Sequence, residues 1–209
     1  MNDLYKYNRY FELMNNLNKR LVKLGGNEIK IMDERLLSTF ENVQDIITMT
    51  LPAAISFSAV STGTVEQIIK KIWCADGLHW TDRIWRDKQG LQTRIEQALM
   101  DCVARGVDKE EWIEVIKNEF EVNKHNAERI VRTELAHVLN EGAAERYEAA
   151  GIEYYSLLAI RDSEKTCGDC KELDGKIYKL SERKIGVNYP PIHPNCRCSV
   201  IPILKEDNK

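Results

Sequence analysis

The chain has 209 residues, 43% of them hydrophobic and 30% charged, and 30 basic against 33 acidic residues leave a net charge of −3. This is globular composition, with enough apolar mass for one large core or two small ones, and it excludes a strong overall field that would pull the chain onto nucleic acid or a membrane surface. No apolar run approaches the roughly 18 residues that a membrane-crossing helix needs. The opening MNDLYKYNRYFELMNN does not read as a signal peptide, so a cytosolic setting is expected. There, closely spaced cysteines read first as metal ligands or reactive thiols.

In chain order, Leu4, Tyr7, Phe11, Met14, Leu17, Leu21 and Leu24 recur every three or four residues. That spacing predicts an amphipathic helix with a nearly coiled-coil period, ended by Gly25-Gly26. A second helix carries Ile31, Leu36, Leu37, Phe40, Val43, Ile46 and Ile47, and breaks at Leu51-Pro52. Thr64-Val65-Glu66-Gln67 has the form of a capping box and predicts a short helix through Trp73. ADGLHW reads as a turn. Thr81 or Asp82 then caps a long helix carrying Ile84, Leu91, Ile95, Leu99 and Val103, with an interruption expected at Gly90 and an end at Gly106. Asp108 with Glu111 predicts a further helix bearing Trp112, Ile113, Ile116 and Phe120. Another runs from about Lys124 to Ala150 and stops at Gly151.

Beyond Gly151 the pattern changes. Ile152 to Ile160 is β-branched, aromatic and apolar, and predicts a strand. Leu173 to Tyr178 carries an Asp-Gly turn between potential strand residues. Pro190-Pro191 imposes an extended approach to the last cysteines. The fold class expected is mainly α with a small C-terminal α+β unit: a helical body, short strands and a Cys/His-pinned loop region. The boundaries expected are a helical region over 1–78, a domain over 79–204 and a solvated tail over 205–209.

That domain holds Cys167-x-x-Cys170 and His193-x-x-Cys196-x-Cys198. A Cys-x-x-Cys knuckle lets two thiolates reach one ion, and a second pair from a distant loop completes the tetrahedron of a structural zinc site. Five donors compete for four places. Cys196 and Cys198, at i and i+2 of an extended segment, point to one side and suit joint ligation, with His193 beside them. Alternatively His193 binds with one of the two. The competing reading is a disulfide from Cys167 or Cys170 to Cys196 or Cys198. Free thiols or a Cys/His nucleophile pair are further readings. The surplus of cysteines, and the need of a small loop-rich unit for a staple, count against the nucleophile.

In AERIVRTELAHVLNEG, Ile130, Glu134, His137 and Glu141 share one helical stripe. Val131, Leu135, Val138 and Gly142 form the adjacent stripe, which is the expected core face. Arg132 is placed to pair with Glu128. Glu134-x-x-His137 is half of a carboxylate-bridged di-metal signature, but no second such pair occurs. The plainer reading has these polar groups bordering the core and tying the helix to Arg161, Asp162 or Arg197. Cys74, His79 and Cys102 read as packing residues. Phosphate-loop, dinucleotide, zinc-protease and serine-hydrolase motifs are missing from the sequence, and no residue is assigned a catalytic role.

RIVRTELAHVLNEG, then RDSEKTCGDCKELDGKIY, then GVNYPPIHPNCRCSVIP, in that order, resemble the phage head morphogenesis family. These are the Mu F-like minor capsid proteins of tailed phages and prophages. The clear match covers Arg129 to Pro202, with a weaker one back to about Trp80. The resemblance implies a structural virion protein present in few copies, assembled in the host cytoplasm and serving head assembly, genome packaging or DNA delivery. Implied partners are the portal and the major capsid or scaffold protein, with indirect contact to genomic DNA and none to a membrane. Carried over by motif are Arg132, Thr133, Glu134, Asp162 and Arg197 as structural residues. Cys167, Cys170, His193, Cys196 and Cys198 carry over as the candidate zinc ligands. Ala159 departs from the aromatic found in many members. The chain is also short for the family, which bears on the portal contact. The rival functions are a metal- or thiol-dependent hydrolase and a toxin-delivery module.

Overall fold

A computed structural model describes residues 2–52, 55, 57, 60–106, 109–160 and 166–204. The elements in chain order are helices α1 (Asn2–Thr50), α2 (Thr62–Lys70), α3 (Trp80–Arg105) and α4 (Lys109–Ala149), strand β1 (Tyr154–Leu158), helix α5 (Gly168–Leu173), strand β2 (Ile177–Lys179), a 3-10 turn (Leu180–Glu182) and strand β3 (Ser199–Ile203). This is the expected class, helical with a small C-terminal sheet.

Several boundaries differ from those expected, each for a local reason. Gly25-Gly26 does not end the first helix; α1 runs unbroken for 49 residues. A Cβ at Gly25 would stand 2.7 Å from the Trp85 ring, so this glycine serves close packing and not a helix stop. Two helical glycines cost about 1 kcal/mol each against alanine, which packing along a long helix offsets. Gly90 likewise leaves α3 intact, and α3 opens at Trp80, one residue before the expected caps. The cap of α2 is Ser61, whose hydroxyl accepts from the Thr64 backbone N–H, and α2 ends at Lys70, short of Trp73. The two helices expected over 108–150 are one helix, α4; Asp108 lies outside the described residues. α1 does end where Leu51-Pro52 predicts, and Gly106 (φ 64°) stops α3.

The chain divides into two compact units: Met1–Met32 with Trp80–Glu128, and Asp33–His79 with Arg129–Lys209. In the first, Met14 and Leu21 of α1 pack with Leu91, Ile95 and Leu99 of α3. Phe11 and Leu24, expected on the same stripe, are exposed. A buried lysine, Lys88, sits inside this unit, and its ammonium is satisfied by Glu28 at 2.7 Å and Asn123 at 2.8 Å.

In the second unit, Val43, Ile47 and Leu51 of α1 meet Ala143, Ala144 and Tyr147 of α4, together with Tyr155, Leu180, Tyr189 and Val200. Gly142 permits the approach of α1, since a Cβ there would lie 2.6 Å from Val43. α4 closes in a Schellman motif. The Ile152 N–H reaches the Tyr147 carbonyl (2.9 Å), the Gly151 N–H reaches the Glu148 carbonyl (3.0 Å), and Gly151 has φ 68°.

The sheet order is β2-β1-β3, antiparallel throughout, with Ser156 opposite both Ile177 and Ile201. The Asp-Gly turn joins α5 to β2 and not strand to strand, because Leu173 ends a helix. Asp174 (φ −57°, ψ 130°) and Gly175 (φ 74°) form a type II turn closed by Lys176 N–H to Leu173 C=O, a geometry that requires positive φ at its third residue. The Asp174 carboxylate accepts from the Ala159 N–H at 2.8 Å, so the turn also ties down the end of β1.

Candidate metal centre

Two short segments bring the Cys/His residues together. Cys167 is the N-cap of α5, and its sulfur accepts from the Cys170 backbone N–H at 3.4 Å. The knuckle is thus the first turn of a helix. The second segment, His193-Pro194-Asn195-Cys196, is a β-turn closed by Cys196 N–H to His193 C=O at 3.0 Å. Proline in the second place and Asn195 at φ 63° in the third give it type II form. Proline sets the first φ, and asparagine tolerates the left-handed one.

The donors converge in two overlapping triads. Cys167, Cys170 and His193 form one, and Cys170, Cys196 and Cys198 the other; within each, the ligand atoms lie within 4.8 Å of one another. His193 Nε2 is 3.1 Å from Cys167 Sγ and 3.3 Å from Cys170 Sγ. Cys170 and Cys196 Sγ are 3.9 Å apart. Two thiolates at the Zn–S distance of about 2.3 Å with tetrahedral angles stand about 3.8 Å apart. His193 Nδ1 lies 2.7 Å from the Pro194 carbonyl oxygen, which can only accept. A neutral ring therefore carries its proton on Nδ1 and turns the Nε2 lone pair toward the sulfurs, the usual arrangement of a metal-binding histidine. All six cysteines are thiols in this structure. Cys170, Cys196 and Cys198 are buried with Leu157 and Ala159.

The thiols are electrostatically unequal. Hydrogen bonding from the Cys170 N–H holds Cys167 below the ordinary thiol range. The Cys198 thiol, by hydrogen bonding, brings Cys196 down to about 5 and is itself driven upward. Burial pushes Cys170 up to about 12. Burial also works to lower His193, but the Pro194 carbonyl and the Cys196 and Cys167 sulfurs outweigh it and raise the imidazole. Two of the thiols, Cys167 and Cys196, are thus biased toward the thiolate, and a soft dication fits that donor set.

The other polar cluster in this unit is built differently. Glu134, His137 and Glu141 of α4 are all buried, whereas Val131, on the stripe expected to face the core, is exposed. Trp73 is the reason: its indole N–H donates to Glu134 at 2.9 Å, and its ring stacks on His137 at 4.7 Å. Glu141 is met by Lys71 at 3.4 Å and Arg183 at 3.6 Å. Burial first, then Lys71, lowers His137 to about 3, so the ring is neutral. Among the described residues, neither Glu134 nor His137 belongs to a grouping able to hold an ion.

Of the partners expected for this stripe, only Arg197 lies among the described residues, and it is exposed; Arg161 and Asp162 lie outside them. Arg132 reaches Asn195 Oδ1 at 3.4 Å, where Glu128 was expected. Trp73, Lys71 and Arg183 carried no local signal, because each is brought in by tertiary packing. Asn195 did carry one: an asparagine directly after proline and before a ligand is a turn residue.

The family model described as phage Mu protein F like protein matches residues 93–201. No curated protein and no solved structure matches the chain.

Proposed function

The chain belongs to the phage Mu protein F-like family, and from that premise we propose that it is a minor head protein of a tailed phage or prophage, acting in head morphogenesis. The observation that carries this reading is the reach of the family match, which takes in the RTE segment of α4, the Cys-x-x-Cys of α5 and the HPNCRC segment. Its place is the virion, after assembly in the host cytoplasm. Its partners are the portal and, in assembly, the major capsid or scaffold protein, with indirect contact to the packaged genome. Exposed Phe11, Leu13, Val22 and Ile31 on α1 support contacts of this kind for the N-terminal region. The test is mass spectrometry of heads purified from a producing host, with and without a deletion of this gene. The reading expects the chain in parental heads at low copy and defective heads without it. Its absence from parental heads would overturn the reading.

The Cys/His cluster is, on this proposal, a structural zinc site held by Cys167, Cys170, His193 and Cys196. The type II turn couples His193 to Cys196, and the 3.9 Å Cys170–Cys196 spacing is that of a tetrahedral edge. Cys198 is then left as the thiol that hydrogen-bonds to Cys196. Four protein ligands fill a tetrahedral shell and leave no open position for a substrate. The bound ion would supply a cross-link between α5 and the HPNCRC segment. Cys196→Ser is expected to abolish zinc binding measured by metal analysis, and Cys198→Ser to retain it.

A further inference from the structure

Three backbone groups of the ligand segment are held by side chains of α4 spaced seven residues apart. Thr133 Oγ1 accepts from the Asn195 N–H at 3.0 Å and donates to the Arg129 carbonyl at 2.7 Å, so both roles of the hydroxyl are fixed. Asn140 Nδ2 donates to the Cys198 carbonyl at 3.3 Å. Tyr147 OH donates to the Val200 carbonyl at 3.3 Å. Residues 133, 140 and 147 lie on one face of the helix, two turns apart, and all three are buried. Their partners follow the same order along the chain: 195, 198, 200. The first two bracket Cys196, one residue before it and two after. The Arg132 contact with the Asn195 side chain fixes the same turn from outside.

We propose that Thr133 and Asn140 are positioning residues of the metal centre: α4 serves as a ruler that sets the register of the HPNCRC backbone, so that Cys196 is aimed at Cys170 before any ion arrives. The proposal rests on the zinc reading above. It gives the RTE threonine a definite task, which is to accept the N–H of the residue preceding a ligand. Groups that orient ligands typically change metal affinity 10–100-fold when removed.

The experiment is a competition titration of the reduced 209-residue chain with zinc and a chromophoric chelator, on the parent, Thr133→Val and Thr133→Ser. Thermal unfolding in EDTA is recorded for each. The expected result is a roughly 10–100-fold loss of zinc affinity in Thr133→Val and a return to the parental value in Thr133→Ser, which keeps the hydroxyl. Parental affinity in Thr133→Val would overturn the positioning role while leaving the zinc site standing. Equal weakening in both variants would also overturn it, since packing and not the hydroxyl would then be responsible. A parent that binds no zinc would overturn the zinc reading and the proposal with it. Should Thr133→Val fail to fold in EDTA, Thr133→Ala in the same titration decides between the same outcomes.

Discussion

Two polar clusters are buried in the second unit, and they are balanced in opposite ways. Glu134 and Glu141 meet their partners within the protein, an indole N–H for the first and a lysine and an arginine for the second, while His137 lies neutral under the Trp73 ring. Cys167, Cys170, His193, Cys196 and Cys198 meet chiefly one another. Buried charge must be compensated, and the first cluster supplies its own cations, whereas the second gathers donors that a metal ion would satisfy. The contrast teaches that convergence alone does not mark a metal site. What marks it is metal-donor atoms that converge on one another, as the sulfurs and the His193 ring nitrogen do.

The largest effect that would sharpen this comparison is metal removal. Structural zinc contributes on the order of 10 kcal/mol of folding free energy in small modules. Chelation, or Cys170→Ser, is expected to lower the melting temperature of the C-terminal unit steeply, as followed by near-ultraviolet circular dichroism. The Trp73 environment should persist at temperatures where the unit remains folded. Next in size is Trp73→Ala, which strips the stack from His137 and the indole donor from Glu134. A loss of about 3 kcal/mol is expected in urea denaturation, with zinc content unchanged; loss of zinc would show that the two clusters are one.

The third test uses pH. The folded-state pKa of His137, about 3, lies below its unfolded value near 6.5. The neutral ring therefore contributes stability that is complete above pH 6.5 and declines as the pH falls from there toward 3, by at most about 1.4 kcal/mol per pH unit. Protons also compete with metal for thiolates, so the quantity compared is the difference between zinc-loaded parent and zinc-loaded variant, in which that competition cancels. His137→Gln is expected to flatten the slope between pH 6.5 and 4 in denaturation curves. An unchanged slope would place the titration elsewhere. The smallest effect is at the turn. Asn195→Ala forces alanine into the left-handed region at a cost of about 1–2 kcal/mol, while Asn195→Gly is expected to lose much less on that account.

Much of this fold was legible in the sequence. The helical body, the strand after Gly151 and the stops at Pro52, Gly106 and Gly151 follow from period and punctuation. The five Cys/His donors also come together as their spacing suggested. What was not legible depends on tertiary contact. Gly25 looks like a helix stop until Trp85 is seen lying against it. Val131 reads as core and Glu134 as rim until Trp73, sixty residues away in sequence, covers the polar stripe instead. The task of Thr133 cannot be read from RTE alone, since its partner is the backbone of Asn195, which carries no side-chain signature of that bond.

On the proposed reading, the C-terminal cysteines and His193 form a zinc centre. Its most direct test is the metal content and free-thiol count of the native chain, purified without chelator and measured beside Cys170→Ser. One zinc per chain is expected in the parent and none in the variant, with thiols that become reactive only when the metal is removed. A parent that is free of metal, with Cys170 and Cys196 joined in a disulfide or all thiols freely reactive, would contradict it.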